Sequence, residues 1–351
     1  MSLEYLFKFN SINSVKKTFI IGEVGSNHNL DKNTVKKLID NCSLAKFDSV
    51  KFQIYDAEEA FSKHVTVKDV KLDHLYKNGP WWEVARDKIL MPKLWFKEMF
   101  SYARSKKLIP ICTVHREEDA HFLISLGLDI FKIASIDMNH KYLLKKLIKF
   151  NKPMIISTGM GYMSEISDTV DFLRSNNFNN FSLLHCISQY PPKFNEQNLR
   201  NITMLRDSFS ANIGYSDHSI GSLSSIIAVT LGANIIEKHI TLDQNYPGPD
   251  HPFALDKNQM KDLVINIRNT EKSLGKEIKN MSSEEIETRK MIRRSIVLKR
   301  NLKKGDKIKL TDLKFARPGT GINPNSYNTI IGRVCDVDIK AETILKYKML
   351  V

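Results

Sequence analysis

The sequence predicts a (β/α)8 barrel followed by a small β-rich domain, and three observations carry that prediction. Eight short runs rich in Val and Ile recur through the first 240 residues. Most are separated by stretches with helical spacing. After Leu274-Gly275 the texture changes to short β-like runs punctuated by turn residues.

The eight expected strands are Phe19–Glu23, Ser49–Ile54, Ile109–Val114, Ile130–Ser135, Pro153–Ser157, Ser182–Ser188, Asn212–Asp217 and Asn234–Ile240. Runs such as SLLHCIS and NIIEKHI are nearly continuous in apolar character, as suits parallel strands covered on both faces. Between the first two, Asp31–Phe47 places Val35, Leu38, Ile39, Cys42 and Ala45 on one helical face; Lys93–Lys107 and Asp256–Leu274 behave alike. Eight strand–helix units fit a barrel. A doubly wound sheet is the alternative, but the first turn, EVGSNHN, lacks its glycine pattern. One spacing is irregular: the second and third strands start 60 residues apart. The extra segment, about 55–91, reads as an insertion on the catalytic face or as a plain surface excursion. The expected boundaries are a barrel over 1–280, a linker over 281–292 and the small domain over 293–351.

The 351 residues are 42% hydrophobic and 26% charged, which excludes disordered and fibrous classes. No apolar run reaches the ~18 residues of a membrane span. The N-terminal MSLEYLFKFNSINSVKKTFII lacks the order of a signal peptide. Four separated cysteines with no CxxC pair suit reduced thiols, so a soluble, cytoplasmic protein is expected. The net charge is +14, and residues 291–351 hold 14 basic against 5 acidic side chains. Nucleic-acid binding is one reading of that surplus. A lysine-rich solvated surface and a basic cover over an anionic substrate are the others. Few aromatics interleave with those lysines, which weighs against nucleic acid.

Catalytic groups of such barrels sit at the C-terminal strand ends. Here those ends carry Glu23, Lys51 and Gln53, Thr113 and His115, Lys132 and Ser135, Ser157 and Thr158, Ser188, Ser216-Asp217-His218, and Lys238-His239. Lys51 and Lys132 suit a phosphate or carboxylate, and the hydroxyls supply further donors. Ser157-Thr158-Gly159 leads toward a helix whose N-terminal amides favour an anion. A phosphorylated substrate is expected. His218 and His239, on adjacent strand ends, read either as ligands sharing a divalent cation or as structural histidines. Lysines at strand ends also suit a Schiff-base pyruvate aldolase, through Lys51, Lys132 or Lys238.

Several stretches carry a resemblance to a known family: IGEVGSNHN (21–29), SVKFQ (49–53), FKIAS (131–135), ISTGM (156–160), LLHCISQYP (183–191), IGYSDHS (213–219), IIEKHIT (235–241), PGPDH (247–251) and FARPGTGI (315–322). With these the chain resembles the sialic acid synthases (N-acetylneuraminate, legionaminate and pseudaminate synthases). The resemblance spans almost the whole chain. It implies condensation of phosphoenolpyruvate with an N-acylated amino sugar by a metal-dependent transferase, with Mn²⁺ or Mg²⁺ (Co²⁺ possible) as cofactor. It also implies that the last domain is an antifreeze-like (SAF, β-clip) module. In the homodimers of this family that module closes the partner's barrel mouth, with no nucleic acid and no membrane involved. Matched by motif, Lys51, Gln53, Thr113, Lys132, Ser135, Ser157, Ser188 and Ser216 hold phosphoenolpyruvate. His218 and His239 match the metal ligands, and Glu23 matches a carboxylate near the reacting carbons. Asp137, Tyr190, Asp250 and Arg317 match sugar-side contacts. The chain departs from the family at Leu30, where glycine is common. It also departs at AKFD (45–48), a helix end read as needing no glycine, and at Asp137, where Glu is common.

Overall fold

The structure, a computed structural model, describes residues 17–351. The N-terminal stretch read for a signal peptide lies mostly outside those residues. The chain divides into two units, Met1–Lys276 and Glu277–Val351.

In the first unit eight parallel strands close a barrel in sequence order. They are β1 Phe19–Glu23, β2 Ser49–Ile54, β3 Ile109–Val114, β4 Phe131–Ile133, β5 Met154–Ser157, β6 Phe181–Cys186, β7 Asn212–Asp217 and β8 Ile235–His239. β8 pairs with β1, setting Glu23 beside His239. β4 is shorter than expected because Ser135 already opens a 3₁₀ turn. β6 likewise ends at Cys186, so Ser188 belongs to the following loop.

Side chains alternate between the barrel interior and its outer face. Phe19, Ile21, Ile111, Ile130, Ile155, Leu184 and Ile235 point inward and form a closed apolar floor. One step further along, the same inward rows carry Glu23, Lys51, Thr113, Lys132, Ser157, Ser216 and Glu237, all buried. The outer rows pack against the helices. Helix Lys32–Ala45 buries Val35, Leu38, Ile39, Cys42 and Ala45, the face expected from its spacing. Asp256 caps helix Lys257–Leu274 through the amides of Asn258 and Gln259.

Two departures from the family are backbone matters. Leu30 sits at φ 54°, and Lys46, which ends the first helix, sits at φ 67°. Both are left-handed positions, where a Cβ is strained and glycine is not. The expectation that AKFD needs no glycine is therefore corrected. Lys46→Gly is expected to raise stability by about 1 kcal/mol, read in urea unfolding.

Residues 55–91 are a built subdomain rather than a loose excursion. Ala57, Val67, Trp81 and Ala85 form its own small core, with Phe61 and Tyr76 against it.

In the second unit, β9 Ser295–Leu298 pairs antiparallel with β10 Leu313–Ala316. A core of Ile296, Leu298, Leu302, Ile308, Leu313, Ile322, Ile330, Cys335, Ile339, Leu345 and Leu350 fills it. Helix Ser283–Ile292 precedes β9 and buries none of its residues. Among the described residues, no helix is long and apolar enough to cross a membrane.

Candidate active site

Above the apolar floor lies a cavity of about 460 Å³, lined by the C-terminal ends of the strands and by the 55–91 segment. Its base is a layer of buried charge. Lys51 Nζ lies 3.1 Å from Glu23 Oε2 and 3.1 Å from Glu237 Oε1, and donates to Thr113 Oγ1 at 3.2 Å. Lys132 Nζ donates to Ser157 Oγ at 2.6 Å and to the Ile133 carbonyl at 2.8 Å. Ser216 Oγ donates to Glu237 Oε1 at 3.2 Å.

The two carboxyls differ in charge. Burial, only partly offset by Lys51, pushes Glu23 up to about 7. Burial acts the same way on Glu237, but Lys51 and Lys132 overcome it and hold that carboxyl well below the usual range. Glu237 is thus the anion of the pair. Its second oxygen, Oε2, is buried without a hydrogen-bond partner. Burial also pulls Lys132 down to about 8, since only two cations and one settled anion share the layer.

Of the residues expected to hold phosphoenolpyruvate, all eight line this cavity. Ser135 Oγ accepts the Gly159 amide at 3.0 Å. The helix that Ser157-Thr158-Gly159 leads toward begins at Met163, four residues beyond Gly159. Thr158 is turned away, donating to the Leu184 carbonyl at 3.0 Å.

Three of the residues singled out stand off the cavity lining, and a fourth lies in the second unit. Glu23 does not line the cavity; Gln53 covers it, donating to Oε1 at 2.6 Å, and the carboxyl is fully buried. Asp137 does not line it either, because its Oδ2 is held 2.5 Å from His115 Nδ1. Lys238 faces outward in the strand alternation and pairs with Asp217 Oδ2 at 3.1 Å, out of reach of any substrate in the barrel. Arg317 is exposed directly after β10 in the second unit.

Tyr190 and Asp250 do line the cavity. The Tyr190 ring lies 4.2 Å from that of His218, centroid to centroid. Asp250 Oδ2 accepts from Ser26 Oγ at 2.9 Å and lies 3.6 Å from His239 Nδ1. Glu237 was missed in the sequence, where it stands between apolar Ile236 and the more conspicuous Lys238-His239.

The histidines fit a divalent cation. Their ring centroids are 5.4 Å apart, and both line the cavity. His218 Nδ1 donates to the Ile187 carbonyl at 3.0 Å, which leaves Nε2 as the ring nitrogen open to a cation. Burial pulls the His239 imidazole down to about 4, so it is neutral, the form that binds metals, and its buried Nδ1 has no hydrogen-bond partner. Among the described residues, no cluster of three or more His, Cys, Asp or Glu converges as a closed metal cage. Two histidines with the remaining positions open suit a catalytic site rather than a structural one.

Comparison with known proteins agrees with this architecture. The NeuB family profile matches residues 38–279, and that of the SAF domain matches residues 293–351. Over 334 residues the chain is 36% identical to N,N'-diacetyllegionaminic acid synthase of Campylobacter jejuni, covering 95% of this chain and 100% of that protein. It is 31% identical to pseudaminic acid synthase of Helicobacter pylori, with 93% and 96% covered. The solved structure of N-acetylneuraminic acid (sialic acid) synthetase from Leptospira borgpetersenii, in complex with citrate, is similar with a TM-score of 0.69. The identity there is 31%, over 79% of this chain and 92% of that one. With most of the barrel and the small domain both matched, the chain belongs to the NeuB family.

Proposed function

We propose that the protein condenses phosphoenolpyruvate with N-acetylmannosamine or a related 2,4-diacetamido-trideoxyhexose. The products would be a nine-carbon 2-keto acid and inorganic phosphate, made in the cytoplasm for surface glycans. The observation that carries this reading is one cavity lined by two buried lysines and a pair of available histidines.

Lys51 and Lys132 attract the phosphate and carboxylate, and Ser135, Ser157 and Thr113 orient them with hydroxyl hydrogen bonds. His218 and His239 would hold a divalent cation, which when bound would supply Lewis-acid polarisation of the sugar aldehyde. C3 of phosphoenolpyruvate then attacks the aldehyde carbon, and positive character develops at C2. The ionised Glu237 stabilises that charge, with Glu23 behind it as its buried neighbour. Water adds at C2, its first proton ending on the former aldehyde oxygen as a hydroxyl; the resulting hemiketal phosphate collapses to the ketone, the C–O bond to phosphate breaking and the second proton leaving with the phosphate. Arg317 and a homodimer in which the SAF domain meets the partner's barrel belong to the same proposal, on the strength of the family resemblance.

Phosphate release from phosphoenolpyruvate with Mn²⁺ and each sugar tests the proposal. Release with a sugar, lost on adding EDTA, supports it; no release with any sugar from folded protein overturns it. The lowered pKa of Lys132 is a feature a Schiff-base aldolase would share. Borohydride with pyruvate is expected to leave the protein unlabelled.

Lys132 also sets a pH dependence. In the free protein it loses its proton near pH 8, whereas a bound phosphate or carboxylate favours the charged amine. Binding therefore takes up a proton above pH 8, and affinity falls as pH rises. The Kd for phosphoenolpyruvate is expected to grow by up to about tenfold per pH unit there. Calorimetry in buffers of different ionisation heat would read both the slope and the proton; a flat Kd from pH 7 to 9.5 would contradict it.

A further inference from the structure

We infer that the buried pair Asp217–Lys238, on the outer face of the barrel, fixes the spacing of His218 and His239 and so sets the affinity for the divalent cation. The inference rests on the reading above that these histidines hold that cation, and it assigns positioning residues to them.

Each member of the pair is the chain neighbour of a histidine. Asp217 precedes His218 at the end of β7, and Lys238 precedes His239 at the end of β8. Alternation sends the pair outward while both histidines line the cavity. In the register of the two strands Asp217 lies directly opposite Lys238. Their charged groups are 3.1 Å apart and fully buried.

The grip is wider than one ion pair. Lys238 Nζ also donates to the Ser219 carbonyl, so a single ammonium holds the residues on both sides of His218. Asp217 Oδ1 accepts from the Ser219 amide at 2.8 Å and from Ser219 Oγ at 2.6 Å, which closes a tight turn around His218. Its Oδ2 accepts the Ser225 hydroxyl at 2.5 Å, anchoring the turn to helix Leu223–Thr230.

Stability is a weak reason for such a pair. Outward residues such as Ile20, Val50, Phe52, Phe131, Ile156 and Ile236 are apolar and packed in the core. An ion pair among them loses its hydration, and apolar residues of the same volume often serve a fold equally well. What the pair adds is a fixed geometry between two strand ends. His239 depends on it, because its buried Nδ1 has no hydrogen-bond partner to orient the ring. Groups that orient metal-ligating histidines are worth about 10–100-fold in metal affinity.

The test is Mn²⁺ binding, read by equilibrium dialysis, in the double variant Asp217→Asn/Lys238→Met. It removes both charges at nearly constant volume, and the new amide oxygen can still accept from the Ser219 amide. The Kd for Mn²⁺ is expected to rise by about 10–100-fold. The Kd for phosphoenolpyruvate, measured in EDTA, should stay unchanged, because Lys51 and Lys132 are untouched. Ser225→Ala is the comparison. It loosens Asp217 from the helix but keeps the tie between the strands, so it should lower the thermal midpoint and leave the Mn²⁺ Kd alone. Should the double variant not fold, Lys238→Gln decides, with the Mn²⁺ Kd rising several-fold because a shorter amide cannot hold both groups. An unchanged Mn²⁺ Kd in the deciding variant, or an equal loss in Ser225→Ala, overturns the inference and leaves the reaction standing. If the unaltered chain binds no Mn²⁺, the metal assignment falls and the inference with it.

Discussion

Lys51→Met is expected to destabilise the barrel by about 3–5 kcal/mol, the cost of stripping a buried pair of its cation. The substitution keeps the volume and removes only the charge. Glu23 and Glu237 then share a closed interior with no ammonium between them, where Lys51 had stood 3.1 Å from each. A fall in the thermal midpoint on the order of 10 °C follows for a domain of this size. Adding Glu237→Gln to Lys51→Met should restore more than half of the loss, because the charge left stranded is chiefly that of Glu237. An unchanged midpoint in the single variant would mean that the buried layer is not held by this ion pair.

His239→Ala is expected to lower kcat/KM on the order of 10³-fold, since Lewis-acid catalysis by a bound cation would lower the barrier by several kcal/mol. The ring is neutral, buried and unsatisfied at Nδ1, so its removal deletes a ligand rather than a hydrogen bond. Bound Mn²⁺ per chain should fall in parallel, read by equilibrium dialysis. Full turnover in this variant without added cation would strip both histidines of the ligand assignment.

Much of the barrel was legible because its strands are apolar on both faces. FIIGE and SVKFQI could be bounded by their ends alone, and the structure keeps both ranges. IIEKHI was harder. An apolar run does not say which way a polar residue within it points, so Lys238 and His239 stood out and Glu237 did not. Ile235 supplies the missing signal. It lies on the barrel floor, and counting by two from it sends Glu237 and His239 inward and Lys238 out. Asp137 was misplaced for another reason: its partner, His115, is 22 residues away on a different loop, and no local pattern announces that contact. The 55–91 segment has no strand or helix period to read. Its fold rests on aromatic side chains meeting one another, such as Phe61 and Trp81.

The apolar floor makes the barrel a vessel with one doorway. Lys132 and Ser157 lie at its bottom, 1% and 3% exposed, while Tyr55 and Trp81 stand nearer the rim on the inserted segment. Whatever rests on the lower pair must arrive while the space beside the upper pair is vacant. Once that space is filled, the lower occupant is trapped until the upper one departs or the two become one molecule. Under the proposed reaction this order of depth would make phosphoenolpyruvate the first to arrive and the sugar the second. A saturating sugar should then slow the escape of phosphoenolpyruvate, and isotope trapping would time that delay.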